Sequence, residues 1–457
     1  MNNKLIAAAI AIFALIIVVI IVIFALSSGK TKTTTPTTNG NITLTVWRTF
    51  DEDYTYSQII QNYQEAHPNV TIKYVKKDLA DYEDATINAL AAGTGPDIWS
   101  INNTWIPRDL DKLVTMPDDF FKTKKETRNN QDYYSQTFAK IVSNDNLIDG
   151  KIYGLPMYVD NLALYVNQQL WDNGRSAYRK ANSNNQSFDD SLFRNFPGTW
   201  DELLAELPYL TKKDASGNIT QGGIALGTAN NTSFSADILS LLMMQNGTTM
   251  VDTPTKSARF NTLVNDASGK PIYNGTNALD FYTSFSNPAK SNYTWNNSQP
   301  NALQAFENGQ LAMMIGYQYI AQTLKQQAPT LQYQVTYMPQ VKGATTVNYA
   351  NYWTETVTNN SRNQSTAWDF LAYAATHANS YLNATKRTSA LLPDPRNPKT
   401  SDPFIDQVTT STTWEQGKSP EKVTAAFNDM INNVLKGQPL QQSIDAAANT
   451  VTDLLQK

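Results

Sequence analysis

Ile42-Thr43-Leu44-Thr45-Val46-Trp47 alternates apolar and polar residues, the period-two pattern of a strand with one buried face. Tyr56 to Ala66 then carries a helical pattern. It stops at His67-Pro68-Asn69, where Pro68 cannot continue a helix. Val70 to Val75 alternates again as a second strand. Asp81 to Ala92 predicts a second helix, closed by Gly93-Thr94-Gly95-Pro96. Asp97-Ile98-Trp99-Ser100-Ile101 reads as a third, short strand. Strand, helix, strand, helix, strand is a βαβαβ unit and predicts a mostly parallel sheet in an α/β fold.

Downstream the pattern is mixed. Phe120 to Ala139 is polar and reads as a surface helix. Lys151 to Pro156 is hairpin-like, and Leu162 to Asn167 is a strand. Trp200 to Leu210 predicts a helix with Thr199 as N-cap. Ser235 to Asn246 and Ala302 to Asn308 read as helices, and Leu311 to Gly316 as a buried strand. Ala367 to Ala375 and Val423 to Leu435 are predicted helices. No solenoid-type repeat is present.

Upstream, Leu5 to Leu26 is an unbroken apolar run, long enough to span a hydrocarbon core of about 30 Å. A cleavable signal has an apolar region of only about 7–15 residues. The run therefore predicts a single-pass transmembrane signal-anchor over residues 1–29, with the folded body outside the cytoplasm. Ala25-Leu26-Ser27 is a weak cleavage-like site and keeps a secretory peptide as the alternative. Residues 30–41 form a Thr/Pro-rich tether with nothing to bury.

Composition narrows the chemistry. The chain has 457 residues, enough for two α/β lobes, and 41% are apolar. A net charge of -4 implies neither nucleic acid nor an anionic membrane surface as partner. There is no Cys, so thiolate metal sites and Cys nucleophiles are excluded. The two histidines, His67 and His377, sit at element boundaries. No phosphate loop, zinc helix or nucleophile elbow occurs. No metal or cofactor is expected. Aromatics reach 11%, with 23 Tyr and 9 Trp, and planar rings suit the apolar C–H faces of sugars.

Several short motifs occur in a telling order. They are Trp47 closing the first strand, His67-Pro68-Asn69-Val70, and Gly93-Thr94-Gly95-Pro96-Asp97-Ile98-Trp99. Asp149-Gly150-Lys151-Ile152-Tyr153-Gly154-Leu155-Pro156 and Asp160-Asn161 before Leu164-Tyr165-Val166-Asn167 follow. Thr199-Trp200-Asp201-Glu202-Leu203 and Phe306-Glu307-Asn308-Gly309-Gln310-Leu311-Ala312-Met313-Met314 complete the series. In this order they resemble the family 1 extracellular solute-binding proteins of ABC transporters, the group that includes maltose-binding protein. The resemblance covers nearly all of Ile42 to Lys457.

The resemblance implies a two-lobed, periplasmic-binding-protein-like fold, each lobe a mostly parallel sheet flanked by helices. Lobe one is expected to hold residues 42–157 and 338–373, and lobe two residues 162–335 and 378–457. It implies a hinge crossing whose Tyr158 to Asn161 face the cleft. It also implies partners, the permease subunits of an importer. Two departures stand out. Gly174 to Gly198 forms an Asn/Ser-rich insert, expected to be a surface excursion. The family's anchoring Cys is replaced by the apolar run.

Ligands of doubly wound folds lie off the carboxyl ends of strands, so candidate binding residues follow predicted strand ends. These are Trp47, Arg48 and Asp51 after the first strand, and Trp99, Asn102 and Trp105 at the third. Tyr158, Asp160 and Asn161 mark the first crossing. Tyr317 and Gln318 follow the buried strand, Trp353 and Glu355 stand near the next crossing, and Arg396 lies in a late Pro-rich loop. Trp47, Tyr317 and Trp353 are the leading aromatic platforms. The reading is a receptor that binds a sugar and does no chemistry. The alternatives are a membrane-anchored glycoside-processing enzyme, for which a carboxylate pair would be needed, or a sensor ectodomain for a membrane partner.

Overall fold

A computed structural model of the chain describes residues 40–123, 125–183, 191–266, 268–393 and 400–456. The expected transmembrane segment, most of the tether and Arg396 lie outside the described residues. Among the described residues no helix is long and apolar enough to cross a membrane.

Two five-stranded sheets organise the body. The first uses β1 (Ile42–Arg48), β2 (Val70–Lys76), β3 (Ile98–Asn102) and β4 (Leu113–Val114). The second uses β5 (Ala163–Asn167), β6 (Lys212–Lys213), β7 (Ile219–Ile224), β8 (Leu311–Gly316) and β9 (Tyr333–Thr336). β10 (Trp353–Thr358) returns to the first sheet. The strand orders are β2-β1-β3-β10-β4 and β9-β5-β8-β7-β6.

The expectation of mostly parallel sheets is corrected here. β1 runs parallel to β2 and β3, but β10 is antiparallel to β3 and β4. In the second sheet β7 and β8 are parallel, whereas β5 is antiparallel to both β8 and β9, and β6 to β7. β5 and β10 each follow a passage from the other sheet and run against their neighbours. Alternation in sequence reports which face a residue takes, never the direction of its strand.

The opening unit is as its pattern requires. Leu44 and Val46 are fully buried. Helix α1 (Asp53–Ala66) lays Tyr56, Ile59 and Tyr63 on one face toward the same core. α2 (Tyr82–Ala91) buries Tyr82, Thr86 and Leu90. Gly93 takes a φ of 72°, which favours glycine in the turn that follows. Asp97 braces that turn: Oδ2 accepts from the Thr45 backbone N–H at 2.8 Å, and Oδ1 from the Ser361 hydroxyl at 2.7 Å.

The predicted polar helix over 120–139 is shorter, Asn130–Thr137. The described part of the Gly174–Gly198 insert is not a free excursion. α3 (Gln168–Ala181) runs through Gly174, and Phe193 is buried 4.7 Å from Trp171. α4 (Trp200–Leu210) begins with a reciprocal cap. The Thr199 hydroxyl accepts from the Glu202 N–H, and the Glu202 carboxylate accepts from the Thr199 N–H. α5 (Ser235–Gln245), α6 (Gln364–Thr376) and α7 (Asn379–Thr385) follow. α8 (Pro420–Leu435) and α9 (Leu440–Leu455) pack together against the second sheet's core.

Short pairings tie the two halves where the chain passes between them. Tyr158–Val159 pairs with Thr388–Ser389, Asn161 bridges to Ala350, and Asn348–Tyr349 pairs with Ser411–Thr412.

Candidate functional site

A cavity of about 680 Å³ lies between the sheets, and a smaller one of about 190 Å³ adjoins it. They share Asp237 and Asn351, so they form one cleft with two compartments.

The first sheet supplies one aromatic wall. The loop after β1 turns at Phe50, whose φ of 66° leaves its ring 47% exposed at the cleft. Trp353 opens β10 and meets Phe50 at 5.2 Å and Trp105 at 5.1 Å edge-on, and Tyr82 at 5.8 Å with the rings tilted. Tyr54, on the first turn of α1, is 70% exposed beside them.

The second sheet supplies the facing wall. Tyr317 and Tyr319 follow β8, and Phe234 precedes α5. Phe234 meets Tyr317 edge-on at 4.9 Å, and the two tyrosine rings lie parallel at 6.5 Å. The Tyr317 hydroxyl donates to Asp237 at 2.7 Å, and its backbone carbonyl accepts from the Tyr165 hydroxyl at 2.7 Å.

Between the walls stand Tyr158, Asp160 and Arg387. The Arg387 guanidinium lies 4.2 Å from the Tyr158 ring centre. Its Nη1 donates to Asp51 at 2.8 Å and also contacts the Tyr381 hydroxyl. Arg48 lies below, 2% exposed. It donates to Glu355 at 2.7 Å and to Asp51 at 2.9 Å. The Tyr381 hydroxyl donates to Asp51 at 2.8 Å.

Acidity follows these partners. Burial pushes the Asp51 carboxyl up, but Arg48 and Arg387 outweigh it and hold Asp51 below the usual range. Asp160 is pushed up to about 7 by burial, against the opposing Gln318 N–H. Asp237 is pushed up to about 6 by burial, against the Tyr317 hydroxyl. Among the described residues, neither Asp160 nor Asp237 has a cation within ion-pair distance.

Of the residues expected from sequence, Asp51, Asn102, Trp105, Tyr158, Asp160, Tyr317 and Trp353 line the cleft. The others do not. Trp47 points to the opposite face of β1, with the Lys77 ammonium 3.7 Å over its ring. Arg48 and Glu355 form the buried pair beneath, and Trp99 is fully buried. Asn161 ties a crossing instead, donating to the Phe404 carbonyl and accepting from Gln407. Gln318 uses its N–H on Asp160 and its side chain on Thr388. Arg396 lies outside the described residues.

Sequence reasoning passed over Phe50, Tyr54, Phe234, Asp237, Tyr319 and Arg387. The first two adjoin the strand end already singled out, so position could have found them. Asp237 carried only the signal of an acid in a helix's first turn. Arg387 had none. Among the described residues no group of His, Cys, Asp and Glu is arranged to hold a metal ion.

Two α/β halves, joined by several passages around a cleft walled by both, define a two-lobed binding protein. Residues 58–412 match the family model described as bacterial extracellular solute-binding protein, and the chain belongs to that family. It is therefore a binding protein with an extracytoplasmic body and not an enzyme. A binding protein of Brucella abortus (strain 2308) is 21% identical over 330 residues, 70% of this chain and 67% of its own length. Among solved structures, the cyclic α-maltosyl-1,6-maltose binding protein of Arthrobacter globiformis aligns with a TM-score of 0.70. It is 18% identical over 91% of this chain and 99% of its own. The sugar-binding protein MalE of Xanthomonas citri gives 0.69, at 16% identity over 91% and 97%. An ABC transporter solute-binding protein of Thermotoga lettingae, bound to α-D-tagatose, gives 0.64, at 19% identity over 91% and 100%. At these identities the structural likeness establishes the two-lobed fold.

Proposed function

We propose that this protein is a carbohydrate receptor that delivers a sugar or oligosaccharide to the permease subunits of an ABC importer. One observation carries the reading: separate sheets contribute facing aromatic walls to one cleft. A sugar laid on Trp353 or Tyr317 buries its C–H face, while Asn102 and Asp160 accept from or donate to its hydroxyls. Neither wall alone desolvates the ring. Ligand therefore favours the conformation with both walls engaged, by differential contact. The sugar ligands of the structural relatives support the same class.

The lobes proposed are residues 42–157 with 338–373, and 162–335 with 378–457. Two segments change sides: α7 belongs with the first lobe, because its Tyr381 meets Tyr56 of α1 and the Arg48 guanidinium, and residues 338–349 with the second, whose core takes Met338 and Tyr349. Anchoring is proposed through the Leu5–Leu26 run, long enough to span a bilayer. Mass spectrometry of membrane-derived protein tests this, and a mature N-terminus at Ser28 would overturn it.

A thermal-shift screen of the full chain against mono- and oligosaccharides tests the main reading. Ligand at a hundredfold excess over its dissociation constant adds about 2.7 kcal/mol of apparent stability. Stabilisation by amino acids or peptides, with none from any saccharide, would overturn the carbohydrate class.

A further inference from the structure

The charged groups of the cleft are unevenly matched. Among the described lining residues of the larger compartment the acids are Asp51, Glu52, Asp160 and Asp237, and the base is Arg387. Glu421 adds a further acid in the smaller compartment. Arg387 is already committed to Asp51, and Glu52 is paired with Lys76. Asp160 feels Arg387 only from beyond ion-pair distance, and Asp237 has no opposite charge beside it among the described residues. Buried carboxylates are ordinarily paired, so a low-dielectric cleft in which Arg387 alone faces Asp51, Asp160 and Asp237 is short of a cation.

The rings beside them have the matching chemistry. Burial pushes the Tyr317 and Tyr319 phenols up, and the charges of Asp160 and Asp237 add to it at both. Phe234 closes the group, 4.9 Å from Tyr317 and 6.2 Å from Tyr319. Tyr319 is 45% exposed, which leaves an open ring face near the mouth. Aromatic faces carry negative quadrupoles, so rings that line the same cavity as the two carboxylates suit an ammonium group.

Resting on the carbohydrate reading above, we propose that the cleft selects an amino sugar, its protonated amine seated between Asp160 and Asp237 against Phe234, Tyr317 and Tyr319. Burial holds both acids partly protonated in the free protein. A bound ammonium reverses that by favouring their ionised forms. A neutral sugar at the same position brings Asp237 no counter-charge and leaves Asp160 only the more distant Arg387. An anionic sugar adds repulsion.

The test is calorimetric titration of the full chain with matched sugars: D-glucosamine, N-acetyl-D-glucosamine and D-glucose, each as monomer and as linked dimer. The glucosamine forms should bind at least tenfold tighter than their acetylated and hydroxyl counterparts. In Asp237→Asn that ratio should fall toward one, with an unchanged circular dichroism spectrum showing that the fold is kept. Equal or tighter binding of the neutral forms overturns the amine assignment and leaves the carbohydrate reading standing. A preference that persists in Asp237→Asn also overturns it. Binding by none of these saccharides, charged or neutral, overturns the amine assignment, and the carbohydrate reading falls with it where the wider saccharide screen is also negative.

Discussion

The two walls of the cleft bury acidic groups in opposite ways. Beneath the first wall, Asp51 and Glu355 are matched by Arg48 and Arg387, with Tyr381 linking the set. On the second side, Asp160 and Asp237 have hydrogen bonds from Gln318 and Tyr317 but, among the described residues, no cation within ion-pair distance; Arg387 acts on Asp160 from farther off. The first arrangement is matched in charge without ligand, although Arg48 Nε and one Glu355 carboxylate oxygen lack a partner. The second is incomplete. A charge network that is already closed serves the fold, whereas one left open is available to a ligand.

The same operation, removing one charge, should therefore have opposite effects on the two walls. Arg48→Met leaves Asp51 and Glu355 buried beside a single guanidinium. It should destabilise the protein by about 3–5 kcal/mol, as breaking a buried pair does. Denaturant titration checks this, and a loss below about 1 kcal/mol would mean that the network is not structural.

Asp237→Asn should do the reverse. Its folded-state pKa is raised, so the folded chain binds more protons there than the unfolded one. That ionisation costs stability as pH rises from about 4, the unfolded value, to about 6, and the cost persists above. The displacement corresponds to roughly 3 kcal/mol, or about 2 once the open face of the side chain is allowed for. The variant should match the parent at pH 3.5 and exceed it by about 2 kcal/mol at pH 8. The measurement is thermal unfolding across that range without ligand.

The aromatic positions separate what the sequence could tell from what it could not. Trp353→Ala should weaken sugar binding at least tenfold, about 1.4 kcal/mol, while Trp47→Ala should leave affinity unchanged. Calorimetry on both variants decides it. Both residues stand at strand ends, yet only one faces the cleft. Leu44, Val46 and Arg48 share one face of β1, and alternation puts Trp47 on the other. That parity was legible in advance. The depth of Glu355 was not, because it has the same parity as Trp353 and differs only by one step into the sheet.

The βαβαβ opening, the Thr199 cap and the strands at 163–167 and 311–316 were legible because local pattern decides them. Strand direction, the buried part of the 174–198 insert and the place of Arg387 were not. Each depends on which distant segment arrives alongside. Arg387 meets Asp51 across 336 positions of sequence.

The edge of the smaller compartment offers the weakest but most specific contact between the walls. Arg108, after β3, places Nη1 2.9 Å from Glu83 and 3.6 Å from Glu421, the first-turn acid of α8. Glu421 is 60% exposed, so the pair should contribute no more than about 0.5 kcal/mol. Because it joins the two halves, its loss should be felt as easier opening and roughly twofold weaker ligand binding at low salt. Near 1 M salt, where screening acts within about 3 Å, the difference should vanish. Glu421 also lines the cleft, so a direct ligand contact has to be told apart from a latch. A double-mutant cycle does that: Arg108→Gln and Glu421→Gln should each lower affinity slightly, and the pair together no further. Additive losses would mean that Glu421 meets the ligand itself and that the two halves are held in register by the crossings alone.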